Sequence, residues 1–385
     1  MTEKAIKLPK VTYDDIKGKT IIGKRRRITL PQWAVAWIVL IPALFFILLF
    51  MFYPIINAFF LAFINDFEWQ VGGSSFALGS FFKALGGVEC MRDPVTQECI
   101  GAEQILPSFG FNNFAVLFKD AEFPKTIVNT FILVIVEVPL TIMVSLLIAT
   151  FLNNIKALKG LYQTIFFLPY VTNAIALGLV FNILFSHTPG GLINILALKL
   201  GGTPINFLSP AAYNFSIDGQ VVAVSPAASK AIQAVVIVTS AIWNGIAFKI
   251  LVFMAGLATI DKQYTDAAKI DGSNGFTIWR RITLPLLSPQ ILYITITSFI
   301  GAFKMYTGVM SVYTNTKLAS SGFYFGGKNG TDWMPVVGWI YKQMDPSSIY
   351  FRNPGIPAAG SLVLLGIIMV ITVVQFAVSK RRVHY

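Results

Sequence analysis

The chain has 385 residues, of which 55% are hydrophobic and 12% are charged, and its mean hydropathy is +0.68. A soluble domain usually carries about 25% charged residues, so this composition excludes an ordinary soluble domain and indicates a membrane protein. The net charge of +12 does not indicate nucleic-acid binding, because the basic residues stand beside apolar runs rather than along one polar face.

Six apolar runs are each long enough to cross a bilayer as a helix. A span needs about 20 predominantly apolar residues, and runs of this length are too long for barrel strands. Backbone groups in hydrocarbon must be satisfied within the segment, which favours helices. We predict an all-α integral membrane protein with six transmembrane helices over about Trp33–Phe60, Ile127–Leu152, Leu161–Phe185, Ala231–Ile260, Leu286–Met310 and Ala358–Val378.

Basic residues next to the runs predict the orientation in the cell membrane. Lys24–Arg27 precede the first run and Lys380–Arg382 follow the sixth, so both termini are expected in the cytoplasm. The first run is longer than the apolar core of a secretory signal, which is about 7–15 residues, so it is interpreted as an uncleaved anchor. The predicted organisation is a cytoplasmic tail (1–32), a membrane domain (33–380) with an acidic outer loop at about 65–124, and a second cytoplasmic tail (381–385).

The loop between the fourth and fifth runs carries the most specific pattern. It places Asp-Ala-Ala at Asp266–Ala268, a glycine at Gly272, and later an isoleucine followed by Leu-Pro. We expect Asp266 near the start of a short helix, where a carboxylate suits the positive end of the helix dipole. Alanines are strong helix formers with small side chains, and Gly272 can take a left-handed conformation that ends the helix. Ile278, Trp279 and Ile282 then recur at helical spacing, with Arg280 and Arg281 on the other side, which predicts an amphipathic segment leading to Pro285 in the first turn of the next span.

This loop, Tyr264–Pro285, resembles the EAA loop of ABC importer permeases, whose pattern is Glu-Ala-Ala, three residues, Gly, nine residues, Ile, one residue and Leu-Pro. The one departure is an aspartate where the family usually has glutamate. The resemblance implies a type I permease fold and a helix that docks into a groove on a cytoplasmic ATPase. The residues at matching positions are Asp266, Ala267, Ala268, Gly272, Ile282, Leu284 and Pro285.

The resemblance also implies the partners. They are a second, homologous permease chain, two ATPase subunits and an extracytoplasmic solute-binding protein, besides membrane lipid. ATP and magnesium would be held by the ATPases, and the chain itself would bind no cofactor and perform no covalent chemistry. Gly322–Asn329 nearly matches a phosphate-binding loop, but asparagine stands where Ser or Thr must hold magnesium and no strand precedes it.

Further short matches resemble the sugar-type permeases, in the style of the maltose and glycerol-3-phosphate systems. They include Phe111–Asp120, Phe167–Pro169 and Met254–Leu257. The sugar assignment depends on this resemblance alone. The alternatives are glycerol phosphate or another small polar solute carried by the same machinery, an ion-coupled secondary transporter that would use Glu137, and an intramembrane enzyme.

Polar and aromatic residues inside the runs are candidates for the substrate pathway. Sugars are bound by hydrogen bonds together with aromatic faces, although the same residues also join helices to each other. Charges inside a bilayer should face the bundle, water or a partner, which applies to Glu137, Lys249 and Lys304. The predicted pathway residues are Asn173, Asn182, Trp243, Asn244, Lys304 and Tyr306.

Two cysteines, Cys90 and Cys99, stand in the acidic outer loop. Outside the cytoplasm a disulfide between them can persist, and two free thiols are the alternative. The two histidines, His187 and His384, are far apart, and no Cys/His cluster has the spacing of metal ligands. A structural metal site is therefore not predicted.

Overall fold

The computed structural model describes residues 31–65, 109–155, 159–186, 191–202, 207–208, 215–217, 220–222, 226–313, 333–344 and 353–379. Its contacts divide the chain into two units, one ending at Ile55 and the other beginning at Ile56. In the first unit, α1 (Gln32–Ile47) leads into a π-helical turn, Leu48–Phe52, with Phe46 stacked on Phe50. The helix α2 follows over Tyr53–Phe63.

Apart from one short hairpin, the remaining described elements are helices of very different length. The two longest, α4 (Phe123–Asn154) and α8 (Pro226–Thr259), pack against each other more extensively than any other pair among the described elements. The others are α3 (Asn112–Lys119), α5 (Lys159–Val171), α6 (Ala174–Leu184), α7 (Leu192–Lys199), α9 (Lys262–Ile270), α10 (Gly275–Ile278), α11 (Leu284–Leu286), α12 (Ser288–Phe303), α13 (Thr307–Tyr313), α14 (Val336–Lys342) and α15 (Gly355–Ser379).

Four helical stretches of the described chain are long and apolar enough to cross a membrane without interruption. They are Ala36–Phe63, Phe123–Asn154, Lys230–Thr259 and Gly355–Ser379, and they correspond to the predicted first, second, fourth and sixth runs. Each extends beyond at least one predicted boundary, by between one and four residues. The count is six only if two bent pairs of helices each form one span.

The predicted third and fifth spans are not straight helices. The third breaks between α5 and α6 with a bend of 100°, next to Pro169 and to Asn173, whose side chain caps α6 by accepting from the backbone N–H of Ile175. The fifth does not begin at Leu286, because the chain bends by 67° at Leu287 before α12 begins. The same run breaks a second time between α12 and α13, so it does not continue as one helix to Met310.

Hydroxyl groups inside α4 are satisfied within the helix itself. Thr130, Thr141 and Ser145 each donate to the carbonyl four residues earlier, at 2.6–2.7 Å. Internal satisfaction is what a polar side chain requires where no water is available. It leaves the apolar side chains of α4 to form the contacts with α8, α12 and α15.

Short elements cover the end of the second unit that the sequence places outside. Asn113 of α3 donates to the carbonyl oxygens of Ala62 and Ile64, at 3.1 and 2.8 Å. Trp339 of α14 is fully buried against Phe123 at the start of α4. A two-stranded antiparallel hairpin, β1 (Phe215–Ile217) and β2 (Gln220–Val222), is the exception to the helical structure in the described part of the chain.

Candidate coupling segment and substrate pathway

The loop Tyr264–Pro285, called the coupling segment below, contains a capped and exposed helix. Asp261 precedes α9, and its carboxylate accepts from the backbone N–H of Gln263 at 3.0 Å. Such a cap satisfies one of the donors left open at a helix start. Two large apolar side chains of α9 are exposed, Tyr264 at 58% and Ile270 at 87%. The two side chains lie six residues apart and are each open to a partner surface.

The end of α9 is built around Gly272, as the sequence predicts. Gly272 has a φ of +75°, and its N–H donates to the carbonyl of Lys269 at 3.0 Å. The N–H of Ser273 donates to the carbonyl of Ala268 at 2.9 Å. These two bonds form a Schellman motif, in which a left-handed residue closes the helix. Gly272 therefore fixes the direction in which the chain leaves α9.

Asp266 does not have the position within α9 that the sequence suggests. It lies in the middle of the helix rather than near its start, and Asp261 is the residue that caps the helix. The Asp266 carboxylate instead pairs with Lys269 at 3.1 Å, and both side chains are exposed. Of the two alanines beside it, Ala267 is exposed and Ala268 is buried.

The second half of the coupling segment is amphipathic, as predicted. Ile278 is buried, Trp279 and Ile282 are half-buried, and Arg280 and Arg281 are exposed. Asn274 begins this half by accepting from the backbone N–H of Thr277 at 2.8 Å, and Trp279–Thr283 form a π-helical turn. The segment thus has one face on the protein and one face open.

The segment ends in a bend rather than in the next span. Leu284 and Pro285 are half-buried in the three-residue helix α11. It is Pro289, and not Pro285, that occupies the first turn of the following long helix, α12. Proline suits that position because its missing N–H would have no partner there. The prediction for Pro285 is corrected in this respect.

The six predicted pathway residues form two groups. Three asparagines form hydrogen bonds to the backbone, and the other three residues present exposed or aromatic groups. The Asn173 side chain caps α6, Asn182 donates to the carbonyl of Val312 at 2.6 Å, and Asn244 donates to the carbonyl of Ser240 at 2.9 Å. Asn173 and Asn244 therefore satisfy the backbone of their own helices, and Asn182 joins α6 to α13. Trp243 is 39% exposed, the Lys304 side chain is exposed, and Tyr306 stacks on Tyr341 with ring centroids 4.2 Å apart.

Tyr341 is a residue that sequence reasoning missed. It lies on α14, in a stretch that the sequence places in an outer loop, and the only available signal was the Trp and Tyr content of Trp333–Tyr341. Thr150 was also missed. Its hydroxyl accepts from the indole N–H of Trp279 at 3.3 Å, whereas a threonine inside an apolar run is usually satisfied by its own helix.

Two opposite charges lie buried between α4 and α8. Glu137 and Lys249 are both 9% exposed, and they interact electrostatically. The Lys249 amine also donates to the carbonyl of Gly245 at 3.3 Å. Pairing inside the helix bundle is the arrangement expected for charges at membrane depth. Each charge therefore has an opposite charge inside the bundle.

A cavity of about 390 Å³ lies between the first turns of α4 and α8. It is lined by Pro124, Lys125, Val128, Asn129 and Lys230, and the Lys230 amine lies 5.0 Å from the ring centroid of Trp333. None of the six predicted pathway residues lines it. The nearest acid along the chain, Glu122, is paired with Lys342 at 2.6 Å.

Several predictions fall outside the described residues. Cys90 and Cys99, the lookalike phosphate loop Gly322–Asn329 and His187 are among them, so the disulfide stays a prediction. Within the described residues no group of three His, Cys, Asp or Glu side chains could hold a metal ion.

The long apolar helices define a membrane-spanning subunit, and its coupling segment presents an exposed, capped helix. Residues 114–384 match the family described as binding-protein-dependent transport system inner membrane component. Because the match covers more than half of the chain, this protein belongs to that family. It is a multi-pass membrane component of an ABC transport system, and it is a transport subunit rather than an enzyme.

Curated relatives agree with the family. The chain is 28% identical over 285 residues to the arabinooligosaccharides transport system permease protein AraP of Bacillus subtilis, covering 72% of this chain and 79% of that protein. It is 30% identical over 229 residues to the lactose transport system permease protein LacF of Rhizobium radiobacter, covering 59% and 70%. The sn-glycerol-3-phosphate permease UgpA of Agrobacterium fabrum is 26% identical, covering 72% and 82%.

Solved structures share the fold. A chain of a bacterial ABC transporter involved in the import of the acidic polysaccharide alginate has a TM-score of 0.64 at 17% identity, covering 91% of this chain and 96% of that chain. A second structure of a bacterial alginate ABC transporter, in complex with an alginate pentasaccharide-bound periplasmic protein, has a TM-score of 0.63. At this identity the likeness establishes the fold.

Proposed function

We propose that this chain is one of two permease subunits of an ATP-driven importer for a sugar or oligosaccharide. The observation that carries the proposal is α9, an exposed helix with apolar Tyr264 and Ile270 that is capped at both ends and continues into a half-buried anchor. An exposed helix on an anchored base can be displaced by a partner and can transmit that displacement to the helices that follow it. The ATPases would hold ATP and magnesium, and this chain would hold neither.

The connections of α9 suggest how this displacement reaches the membrane. It follows directly on α8, and the coupling segment continues into α12 through the bend at Leu287. A displacement of α9 therefore acts on the ends of two long helices at once. The third and fifth predicted spans are broken between α5 and α6 and between α12 and α13. These breaks allow α6 and α13 to reorient without unfolding. Together these features support alternating access, in which ATP binding opens the pathway to the outside and hydrolysis resets it.

The proposed substrate class follows the relatives, three of which are permeases for arabinooligosaccharides, lactose and glycerol 3-phosphate by name. Aromatic faces and polar groups suit a sugar, and Trp243, Lys304 and Tyr306 with Tyr341 have this chemistry. A solute-binding protein would deliver the sugar to the side opposite the coupling segment, where the second permease chain would complete the pathway.

Purification of the intact complex from its native membrane tests this function. Native mass spectrometry is expected to show this chain with one homologous permease and two ATPase subunits, and a retained ligand with the mass of a sugar. A ligand with the mass of glycerol 3-phosphate would change the substrate and leave the machinery. A chain that purifies without ATPases and transports under an ion gradient would contradict the proposal and favour a secondary transporter.

A further inference from the structure

The Trp279 indole joins the coupling segment to α4, a helix that is not adjacent to the segment along the chain. Its Nε1–H donates to the Thr150 hydroxyl of α4 at 3.3 Å. The Thr150 hydroxyl in turn donates to the carbonyl of Leu146 at 2.8 Å. Within the described residues this is the one side-chain hydrogen bond from the coupling segment to another helix.

The ring of Trp279 lies in the apolar cluster at this end of the second unit. Residues of that cluster come from α4, from α8 and from the bend before α12, and include Leu146, Phe253 and Leu287. On its other side Trp279 stacks on Phe276, with ring centroids 6.0 Å apart, and Phe276 is 66% exposed. The indole thus lies between a surface residue and the packed interior.

The covalent path explains why α4 needs such a contact. A push on α9 reaches α8 and α12 along the backbone, but α4 ends at Asn154 and continues into α5, so only non-covalent contacts connect it to the segment. Apolar packing is non-directional and permits one helix to slide past another. A hydrogen bond has a preferred length and direction, so it favours one register of the two parts.

We propose that Trp279 is a positioning residue that makes α4 move together with the coupling segment when the ATPases close. This inference depends on the proposed function, since it assigns the role within an ATP-driven conformational change. It adds a third long helix to the two that the backbone connects. Through the extensive contact between α4 and α8, the three helices would then move as one body.

Distance measurements on the assembled complex test the proposal without any transported solute. Nitroxide labels are placed at Phe151→Cys on α4 and Lys262→Cys on α9, two exposed positions, after Cys90→Ser and Cys99→Ser. Double electron–electron resonance is recorded on the resting complex and after trapping with Mg-ATP and vanadate. The variants are Trp279→Phe, which keeps an aromatic six-membered ring and removes the donor, Thr150→Val, which removes the acceptor, and the double variant.

In the otherwise unchanged chain the distance is expected to be the same in both states, because the two labels move together. Trp279→Phe and Thr150→Val should each raise the population of a second, minor distance about fivefold in the trapped state only, which is the effect of one neutral hydrogen bond on an equilibrium. The double variant should equal either single variant. Thr150→Ser, which keeps the hydroxyl, and Thr164→Val, an exposed threonine that bonds only its own helix, should behave like the unchanged chain.

Two results would overturn the inference. Distances in the single variants that match the unchanged chain in the trapped state would show that the bond transmits nothing. A change already present in the resting state would show a purely structural role. A complex that lacks ATPases or traps no nucleotide would contradict the proposed function instead, so the two failures can be distinguished.

Discussion

The end of the second unit at the coupling segment and the opposite end are packed in different ways. At the coupling end Trp279 and Leu287 lie in one apolar cluster with residues of α4 and α8. At the opposite end α6 and α13 meet through a close approach of Gly178 and Ser311 and through the bond from Asn182 to Val312. The cluster at the first end is continuous with the long helices, whereas the contact between α6 and α13 joins two short helices that follow breaks. Under the proposed function, a displacement of the coupling segment would act on closely packed long helices. At the opposite end α6 and α13 could then move apart.

Removing Glu137 should have the largest effect on stability. It tests whether α4 and α8 join the two ends as one body. Glu137→Leu leaves the buried Lys249 without its opposite charge, and breaking a buried pair costs about 3–5 kcal/mol. We expect strongly reduced recovery of folded protein by fluorescence-detected size-exclusion chromatography. The double variant Glu137→Leu with Lys249→Leu should recover most of it. Normal recovery of the single variant would show that the pair does not hold the helices.

A methyl group at Gly178 should loosen the opposite end alone. A Cβ at this position would lie 1.6 Å from Oγ and 2.3 Å from Cβ of Ser311, so α6 and α13 must separate. Overpacking of this kind costs about 1–3 kcal/mol. We expect Gly178→Ala to lower the thermal unfolding temperature, and Ser311→Gly in the same chain to restore part of it. If Gly178→Ala unfolds at the original temperature, the approach of α6 to α13 is not maintained in the membrane.

A substitution at Gly272 should affect the coupling end while leaving the spans intact. A side chain there meets no atom within 4 Å, so only the backbone conformation matters. A β-branched residue in the left-handed region costs about 1–2 kcal/mol, whereas asparagine tolerates it. Gly272→Val is expected to reduce uptake of the retained sugar about tenfold per ATP hydrolysed, and Gly272→Asn should stay near the original ratio. Equal ratios for both variants would remove the role of the helix end.

Changes at Asp266 should have the smallest effect on stability. Its pair with Lys269 is exposed, and such pairs contribute about 0–1 kcal/mol. Asp266→Asn should leave the unfolding temperature within error, and Asp266→Glu, which restores the usual family residue, should be neutral for uptake. Asp266→Lys is expected to reduce co-purification of the ATPases if the carboxylate faces their groove. Full recovery of ATPases with Asp266→Lys would place the contact on Tyr264 and Ile270 instead.

The sequence predicted local features where one residue type has one strong preference. The end of α9 at Gly272 and the buried and exposed faces around Ile278 follow from backbone conformation and periodicity, and both are confirmed. The breaks at Asn173 and Leu287 were not predicted, because an apolar run has the same composition whether its helix is straight or bent. The helix position of Asp266 was predicted wrongly, since the stronger N-terminal cap, Asp261, lies five residues earlier.

Composition and motif alone determined that this protein crosses the membrane and belongs among the ABC importer permeases, because hydropathy and a spaced loop pattern are properties of the chain in order. Only the tertiary structure decided which side chains meet across distant parts of that chain. Tyr306 with Tyr341 and Trp279 with Thr150 are such pairs, and Glu137 and Lys249 interact electrostatically. Their partners are set by how the long helices pack and where the short ones break, and neither is encoded in a local pattern.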